Sequence, residues 1–168
     1  MINWAYFPKN IQIDYISEKI VNVFEKLNLK IDSHTNHYHS DQVLSILEPD
    51  LSSIGFCVEK SKCKDDKIRV PVLFGLNGKP EKSFDADAYS SEYGYVIEVE
   101  AGRAVINYQF LKDFFEACVM CNVNNLCIAV RNEYKKSNDF EKVCLFFDTL
   151  YQSGRIGIPI NGLLIIGY

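Results

Sequence analysis

The sequence lacks long apolar runs, and nowhere does it approach the ~18 consecutive apolar residues of a membrane-spanning helix. Its first residues, MINW, include neither the basic segment nor the apolar stretch of an export signal. These absences predict a cytoplasmic protein that is not held in a membrane. The six cysteines are therefore expected to be free thiols, because disulfide frameworks are typical of small exported chains.

Nucleotide-binding motifs are also missing. No Walker phosphate loop occurs, and no Gly-x-Gly-x-x-Gly follows a strand, so nucleotide hydrolysis has no support. The net charge of −4 argues against a protein that coats nucleic acid with a basic surface. Residues 59–82 depart from this balance, with seven basic and four acidic side chains. That run could contact phosphates or form a solvated hairpin.

Two groups of potential metal ligands match no strong motif. His34, His37 and His39 are close in sequence, but their spacing favours a polar loop, which could alternatively contact substrate. Cys118 and Cys121 have Cys-x-x-Cys spacing within an apolar helical pattern, which indicates core packing.

Length and composition indicate one ordinary domain spanning residues 1–168. Hydrophobic residues make up 48% of the chain and charged residues 24%, which is typical of globular proteins. The apolar periodicity predicts an N-terminal helical segment over residues 1–40, with its helix at Ile11–Leu29. A second helix, capped by Ser40 or Asp41, should end near Gly55 and be kinked or split at Pro49.

The remainder of the chain alternates between strand and helix patterns. The predicted strands are Phe56–Glu59, Ile68–Leu76, Ser83–Ala88, Tyr95–Glu100, Leu126–Val130 and Leu163–Ile166, with a turn at Asn77-Gly78. A helix capped by Asn107 is predicted through about Cys121, and a further helix is predicted at about Asp139–Tyr151. The expected fold class is therefore α/β, a mixed central sheet flanked by helices, in the order helices, strands, helix, strand, helix, strand.

Two acidic pairs lie on neighbouring predicted strands. Side chains alternate across a strand, so Asp85 and Asp87 should share one face, and Glu98 and Glu100 should share another. A hairpin would bring the four carboxylates together, where they would repel one another. A magnesium ion would relieve that repulsion, because it prefers hard oxygen ligands. An exposed acidic hairpin face is the alternative.

These residues carry a family resemblance. The segments 84–88 (FDADA) and 96–103 (VIEVEAGR) resemble the signature of the PD-(D/E)XK nuclease superfamily. In that signature an acid on one strand precedes Glu-x-Lys, or in variants Glu-x-Glu or Glu-x-Gln, on the next. The resemblance covers residues 41–168 and implies a restriction-endonuclease-like core. The chain is also similar to bacterial proteins related to restriction endonucleases.

The resemblance implies roles for the acidic residues. Asp87 or Asp85 would be the motif aspartate, and Glu98 would be the second ligand of Mg²⁺ or Mn²⁺. Glu100 stands where most members have lysine, and it would hold a second ion or accept a proton from water. Glu48 on the second helix would be an additional metal ligand, although a solvated helix end explains it equally well.

The missing lysine requires another source of positive charge. Arg103 or Lys112 could supply it, and Lys112 could instead form only an intrahelical pair with Glu116. The resemblance thus implies a metal-dependent DNA endonuclease, expected to be a homodimer if it cuts both strands. The alternatives are a catalytically inactive binding or regulatory protein of the same fold, or merely an acidic surface. The sequence leaves open the choice between DNA and RNA and the recognition sequence.

Overall fold

The apolar runs at Leu126–Val130 and Leu163–Ile166 form neighbouring parallel strands in the central sheet. All of their side chains are buried, as strands covered on both faces require. The structure is a computed structural model that describes residues 1–61, 63 and 66–168. Three residues of the basic run, Lys62, Lys64 and Asp65, lie outside the described residues.

The described residues form a mixed α/β structure. Its strands are β1 (Asn3–Phe7), β2 (Cys57–Val58), β3 (Ile68–Phe74), β4 (Pro80–Ala86), β5 (Ala88–Ser90), β6 (Tyr95–Glu100), β7 (Asn125–Val130) and β8 (Gly162–Gly167). Its α-helices are α1 (Tyr15–Ile31), α2 (Ser40–Ser53), α3 (Gln109–Val119) and α4 (Asp139–Ser153). Six strands form one sheet in the order β1-β8-β7-β6-β5-β2, whereas β3 and β4 form a separate ribbon. Strands β6, β7 and β8 are parallel and the outer strands are antiparallel, which confirms the predicted mixed sheet.

The helices cover both faces of this sheet. Tyr95, Ile97 and Val99 of β6 pack into the core beneath α1 and α2. Val96, from the opposite face of the same strand, packs with Phe114 of α3 and with α4. The alternation predicted for β6 is therefore confirmed, and it directs Glu98 and Glu100 toward the α3 side.

The first two helices differ from their predicted ends. Helix α1 begins at Tyr15, because the Asp14 carboxylate accepts hydrogen bonds from the backbone N–H groups of Ile16 and Ser17. Helix α2 has His39 at its N-cap, not Ser40 or Asp41. It continues through Pro49 to Ser53 without a break, so the predicted split is wrong. Leu47 and Leu51, on either side of the proline, are fully buried and hold this segment against the core.

The predicted order of elements is also wrong at its start. Strand β1 precedes α1, so residues 1–40 are not entirely helical, and β1 pairs antiparallel with β8. The N-cap of helix α3 is Tyr108, in a left-handed conformation, and not the predicted Asn107. The Asn77-Gly78 turn is present as a short 3-10 turn with Asn77 in the left-handed region. No helix in the described ranges is long and apolar enough to cross a membrane.

Candidate active site

Two glutamates lie near the carboxyl end of the central strand β6. Glu98 and Glu100 are paired in register with Ile128 and Val130 of the parallel strand β7. Both glutamates therefore lie near the carboxyl ends of parallel strands, where open α/β sheets commonly bind ligands. Because they point toward α3, they have protein on one side and a cleft on the other.

Asp87 lies beside these glutamates, at a bend between β4 and β5. Strand β4 ends at Ala86 and β5 begins at Ala88, so Asp87 lies between two different sheets. The pairing of Ala88 with Ile97 brings Asp87 beside Glu98. The Asp87 carboxylate accepts a 2.8 Å hydrogen bond from the backbone N–H of Val99, which anchors it to β6.

Asp85 lies on the rim of the cleft. Its carboxylate is 3.3 Å from Lys67 Nζ, which also pairs with Glu59 at 3.1 Å, and the Asp85 side chain is 48% exposed. Hydrogen bonding to Glu59 and Asp85 raises the pKa of Lys67. Asp85 and Asp87 do not lie on one continuous strand, because the bend at Asp87 separates β4 from β5, but both line the same cleft.

The resulting acidic cleft has a volume of about 400 Å³. We define it by Asp87, Glu98 and Glu100 from the strands and Asp113 from α3. Its other polar lining residues are Ser40, Asp41, Glu59, Lys67, Ser83, Asp85, Gln109, Lys112 and Glu116. The predicted Asp87, Glu98, Glu100 and Lys112 are therefore brought together, with Asp85 at their margin.

Asp113 is a member that the sequence did not single out for a role. It is only 5% exposed, and one carboxylate oxygen accepts a 3.1 Å hydrogen bond from Gln109 Nε2. Its other oxygen is buried without a hydrogen-bond partner among the described residues. The available signal was the polar stripe on α3, in which Gln109, Lys112, Asp113 and Glu116 follow helical spacing.

Asp41 is a further lining residue, which the sequence indicates only as a helix cap. It lies near the start of α2, and its negative charge contributes to raising the pKa of Asp87. Desolvation by burial is the larger cause, and Glu59 adds to it. The hydrogen bond from the Val99 N–H stabilises the ionised carboxylate and opposes this shift. The net result is a pKa of about 6 for Asp87.

The pKa values of Glu98, Glu100 and Asp113 are also raised. Burial raises the pKa of Glu98 well above its ordinary value, and the charges of Asp87 and Asp113 raise it further. Burial also raises the pKa values of Glu100 and Asp113, and the negative charge of Asp113 adds to the shift of Glu100. In the absence of a cation, full ionisation of this group is therefore unfavourable near neutral pH.

Lys112 is the cation that α3 presents to these carboxylates. It forms a 3.2 Å ion pair with Glu116, so the predicted intrahelical pair is present. Partial burial tends to lower the pKa of Lys112, but the hydrogen bond to Glu116 and nearby charges, including Glu98, outweigh it and raise the pKa. Lys112 is thus positioned to act on the cleft as well as on Glu116.

Other predicted candidates lie elsewhere. Glu48 is not among the residues lining the acidic cleft, and its carboxylate accepts a 3.4 Å hydrogen bond from Ser52 Oγ. Arg103 lines a neighbouring cleft with His37 and His39. Cys118 is partly buried against the core beneath α3 and α4, in keeping with the packing role predicted from its spacing. All six cysteines are free thiols.

The acidic cleft can be tested for its fit to a divalent cation. Mg²⁺ prefers oxygen ligands and commonly takes only one or two protein carboxylates, with water completing its coordination. Asp87 and Glu98 supply such donors, and the buried oxygen of Asp113 lacks a partner. Among the described residues, no three His, Cys, Asp or Glu side chains form a ready-made metal site. The donors therefore fit a partly hydrated ion better than one enclosed by protein ligands.

Comparisons with known proteins did not identify a relative. No family model matches the chain, and no significant match was found among curated proteins or solved structures. The resemblance to PD-(D/E)XK nucleases therefore rests on the quoted segments alone.

Proposed function

We propose that this protein is a metal-dependent DNA endonuclease that hydrolyses phosphodiester bonds in its acidic cleft. The observation that supports this proposal is the gathering of Asp87, Glu98 and Glu100 opposite the buried Asp113. Burial and like charge raise the pKa of each of these carboxyls. A cation would relieve the repulsion, whereas a purely structural role would gain nothing from collecting four acids.

Asp87 and Glu98 would hold Mg²⁺ or Mn²⁺ in this cleft. A divalent ion bound there would neutralise charge on the scissile phosphate and favour ionisation of water. Glu100 would accept the proton from the attacking water, because its raised pKa suits a general base working near neutral pH. The hydrogen bond from the Val99 N–H would keep Asp87 correctly oriented.

Lys112 would take over the electrostatic role of the missing lysine. Its ammonium group carries a charge that acts on Glu98 and Asp113 as well as on Glu116. When substrate enters, this charge would stabilise the negative charge that develops on the phosphate. Lys112 lies on α3, whereas the motif lysine would lie on β6 at the position of Glu100. The positive charge would therefore come from a different element.

A second candidate function is that of a binding or regulatory protein without catalytic activity. The observation in its favour is that Glu100 adds negative charge where the related motif has lysine. In addition, Lys112 is already engaged by Glu116. Such a protein would bind its partner independently of divalent ions.

A cleavage assay separates these functions. Plasmid and single-stranded DNA would be incubated with Mg²⁺ or Mn²⁺ and wild-type protein, Glu98→Gln, or the control Glu92→Gln at an exposed loop position. The nuclease proposal predicts metal-dependent cleavage by the wild type and the control, and its loss in Glu98→Gln. Binding of DNA without cleavage under every metal condition would favour the binding protein.

A further inference from the structure

A second, larger cleft adjoins the acidic cleft. Its volume is about 710 Å³, and it shares Ser40, Asp41 and Glu100 with the acidic cleft. We call it the basic cleft and define it by His37, His39, Arg103, Arg131 and Tyr134 from its lining. The two clefts therefore meet at Asp41 and Glu100: the acidic cleft is lined mainly by carboxylates, whereas the basic cleft adds Arg103, Arg131 and Tyr134 to these two acids.

Arg131 makes this cleft suited to an anion. It follows the last residue of β7 and is only 8% exposed. Its Nη2 donates a 2.6 Å hydrogen bond to the backbone oxygen of Tyr38, but its Nε is buried without a partner. Within the described ranges, Arg131 has no ion-pair partner. Its charge acts on the buried carboxylate of Asp139 without forming an ion pair, and a bound phosphate would place a counterion in direct contact with the guanidinium.

Tyr134 forms an aromatic wall of the basic cleft, next to two cationic side chains. The guanidinium carbon of Arg131 lies 5.3 Å from its ring centroid, and Lys135 Nζ lies 5.2 Å from the same centroid. Gly102 has a φ of +120°, and a Cβ there would come within 2.6 Å of the Tyr134 ring. Gly102, two residues after Glu100, thus permits Tyr134 to lie directly against the end of β6.

The turn after Tyr134 extends the basic character outward. Tyr134 and Ser137 exchange two backbone hydrogen bonds of 2.8 Å, which brings Lys135 and Lys136 to the tip of a tight turn. Both lysines are in the left-handed region, with φ of 47° and 67°, where glycine and asparagine are favoured. They are exposed and line a further depression of about 380 Å³ together with Arg131. The cationic surface is therefore longer than a single phosphate group.

We propose that the basic cleft binds the phosphate adjacent to the reacting one, so that a single polynucleotide strand lies across both clefts. This inference rests on the proposed nuclease function. Arg103 and Arg131 would contact backbone phosphate, and Tyr134 would offer a face for base stacking. The strand would then continue past Lys135 and Lys136.

The test is binding of a fluorescently labelled single-stranded oligonucleotide without divalent ions, measured by anisotropy over a range of salt concentrations. Arg103→Ala removes an exposed arginine of the basic cleft. Arg155→Ala is the matched control, because Arg155 is also exposed. It lies between α4 and the amino end of β8, at the opposite end of the parallel strands from the basic cleft. We expect Arg103→Ala to weaken binding several-fold and to reduce the salt slope by about 0.7, while Arg155→Ala leaves both unchanged.

A double substitution of Lys135→Ala and Lys136→Ala tests the outer part of the track and should weaken binding in the same way. Equal binding by Arg103→Ala and Arg155→Ala would overturn the proposal. Competition by a nucleoside monophosphate as effective as that by an unlabelled oligonucleotide of equal phosphate concentration would also overturn it, because it would indicate an isolated phosphate site.

Failure of this inference can be distinguished from failure of the nuclease proposal. If the wild type cleaves DNA but the Arg103 substitution changes neither affinity nor salt slope, only the basic-cleft proposal fails. If the wild type never cleaves but the Arg103 substitution weakens binding, the basic cleft is supported and the catalytic proposal fails.

Discussion

The two acidic pairs have the same sequence spacing and different structural fates. Glu98 and Glu100 lie on one face of the continuous strand β6, and both line the acidic cleft. Asp85 and Asp87 are divided by a bend, so Asp87 enters the cleft while Asp85 pairs with Lys67 at its rim. Alternation thus predicts equal surroundings for the two side chains only where the strand is unbroken, and the bend gives Asp87 a half-buried position while Asp85 stays exposed.

The largest expected effect comes from neutralising the acids that lie inside the cleft. Under the nuclease proposal, Asp87→Asn or Glu98→Gln should reduce DNA cleavage by roughly 10²–10⁴-fold, because each removes a carboxylate that would hold the metal ion beside the reacting phosphate. Asp85→Asn should retain most of the activity. Cleavage rates at saturating Mg²⁺ would measure this. Equal losses of cleavage rate in Asp85→Asn and Asp87→Asn would contradict the distinction between an acid at the rim and one inside the cleft.

A smaller effect is expected from Lys112→Ala. This change should lower the cleavage rate by roughly 10-fold to 100-fold if the ammonium group stabilises charge on the phosphate. Stability should fall by less than about 0.5 kcal/mol, because the ion pair with Glu116 is only partly buried. Cleavage kinetics and urea unfolding of the same variant provide the two values. Unchanged cleavage would leave Lys112 with its intrahelical pair alone.

Burial of the interior acids should also make stability depend on pH. The folded pKa of Asp87 is about 6, above its ordinary value of 3.8, so the folded protein binds more protons than the unfolded chain in that interval. Its contribution to stability is therefore present at low pH and is lost as the pH rises through about 6. Asp87→Asn should be more stable than the wild type above about pH 6, by about 1 kcal/mol after allowance for water in the open cleft.

Urea unfolding at several pH values would measure that difference. The advantage of Asp87→Asn should shrink as the pH falls below about 4, because the wild-type carboxyl then becomes protonated in both states. A difference that does not vary with pH would show that burial of Asp87 is not the cause. Added Mg²⁺ should stabilise the wild type and reduce the advantage.

The smallest effect is expected at the rim. Asp85→Asn breaks the contact with Lys67, but Lys67 keeps Glu59 as a partner and Asp85 is 48% exposed. The free energy of unfolding should therefore change by less than about 0.5 kcal/mol. Urea unfolding would test this, and a loss several times larger would mean that the rim pair supports the fold.

Most of the sheet could be predicted because its strands have strong local patterns. Strand β6 was recognised from its alternation, and β7 and β8 were recognised from continuous apolar runs. Strand β1 was missed because it is short, its first residues are exposed, and its partner β8 is at the other end of the chain. A long-range pairing of this kind leaves little local signal. The unbroken passage of α2 through Pro49 likewise depends on tertiary packing.

The candidate site was only partly predictable for the same reason. The strand pattern brought attention to Asp87, Glu98 and Glu100, whereas Asp113 belongs to the site only because α3 packs over the end of β6. Helical spacing shows that Asp113 shares a stripe with Lys112, but it does not show what the stripe faces. Glu48 was chosen by analogy, and the geometry places Asp41 of the same helix in the cleft instead.

The most direct test of the central claim is calorimetric titration of Mn²⁺ and Mg²⁺ into the wild type, Glu98→Gln and the exposed control Glu92→Gln, without DNA. If the acidic cleft is a cation site, the wild type and Glu92→Gln should bind a divalent ion with release of protons, and Glu98→Gln should lose most of that affinity. Identical titrations for all three proteins, or no binding by the wild type, would contradict the account.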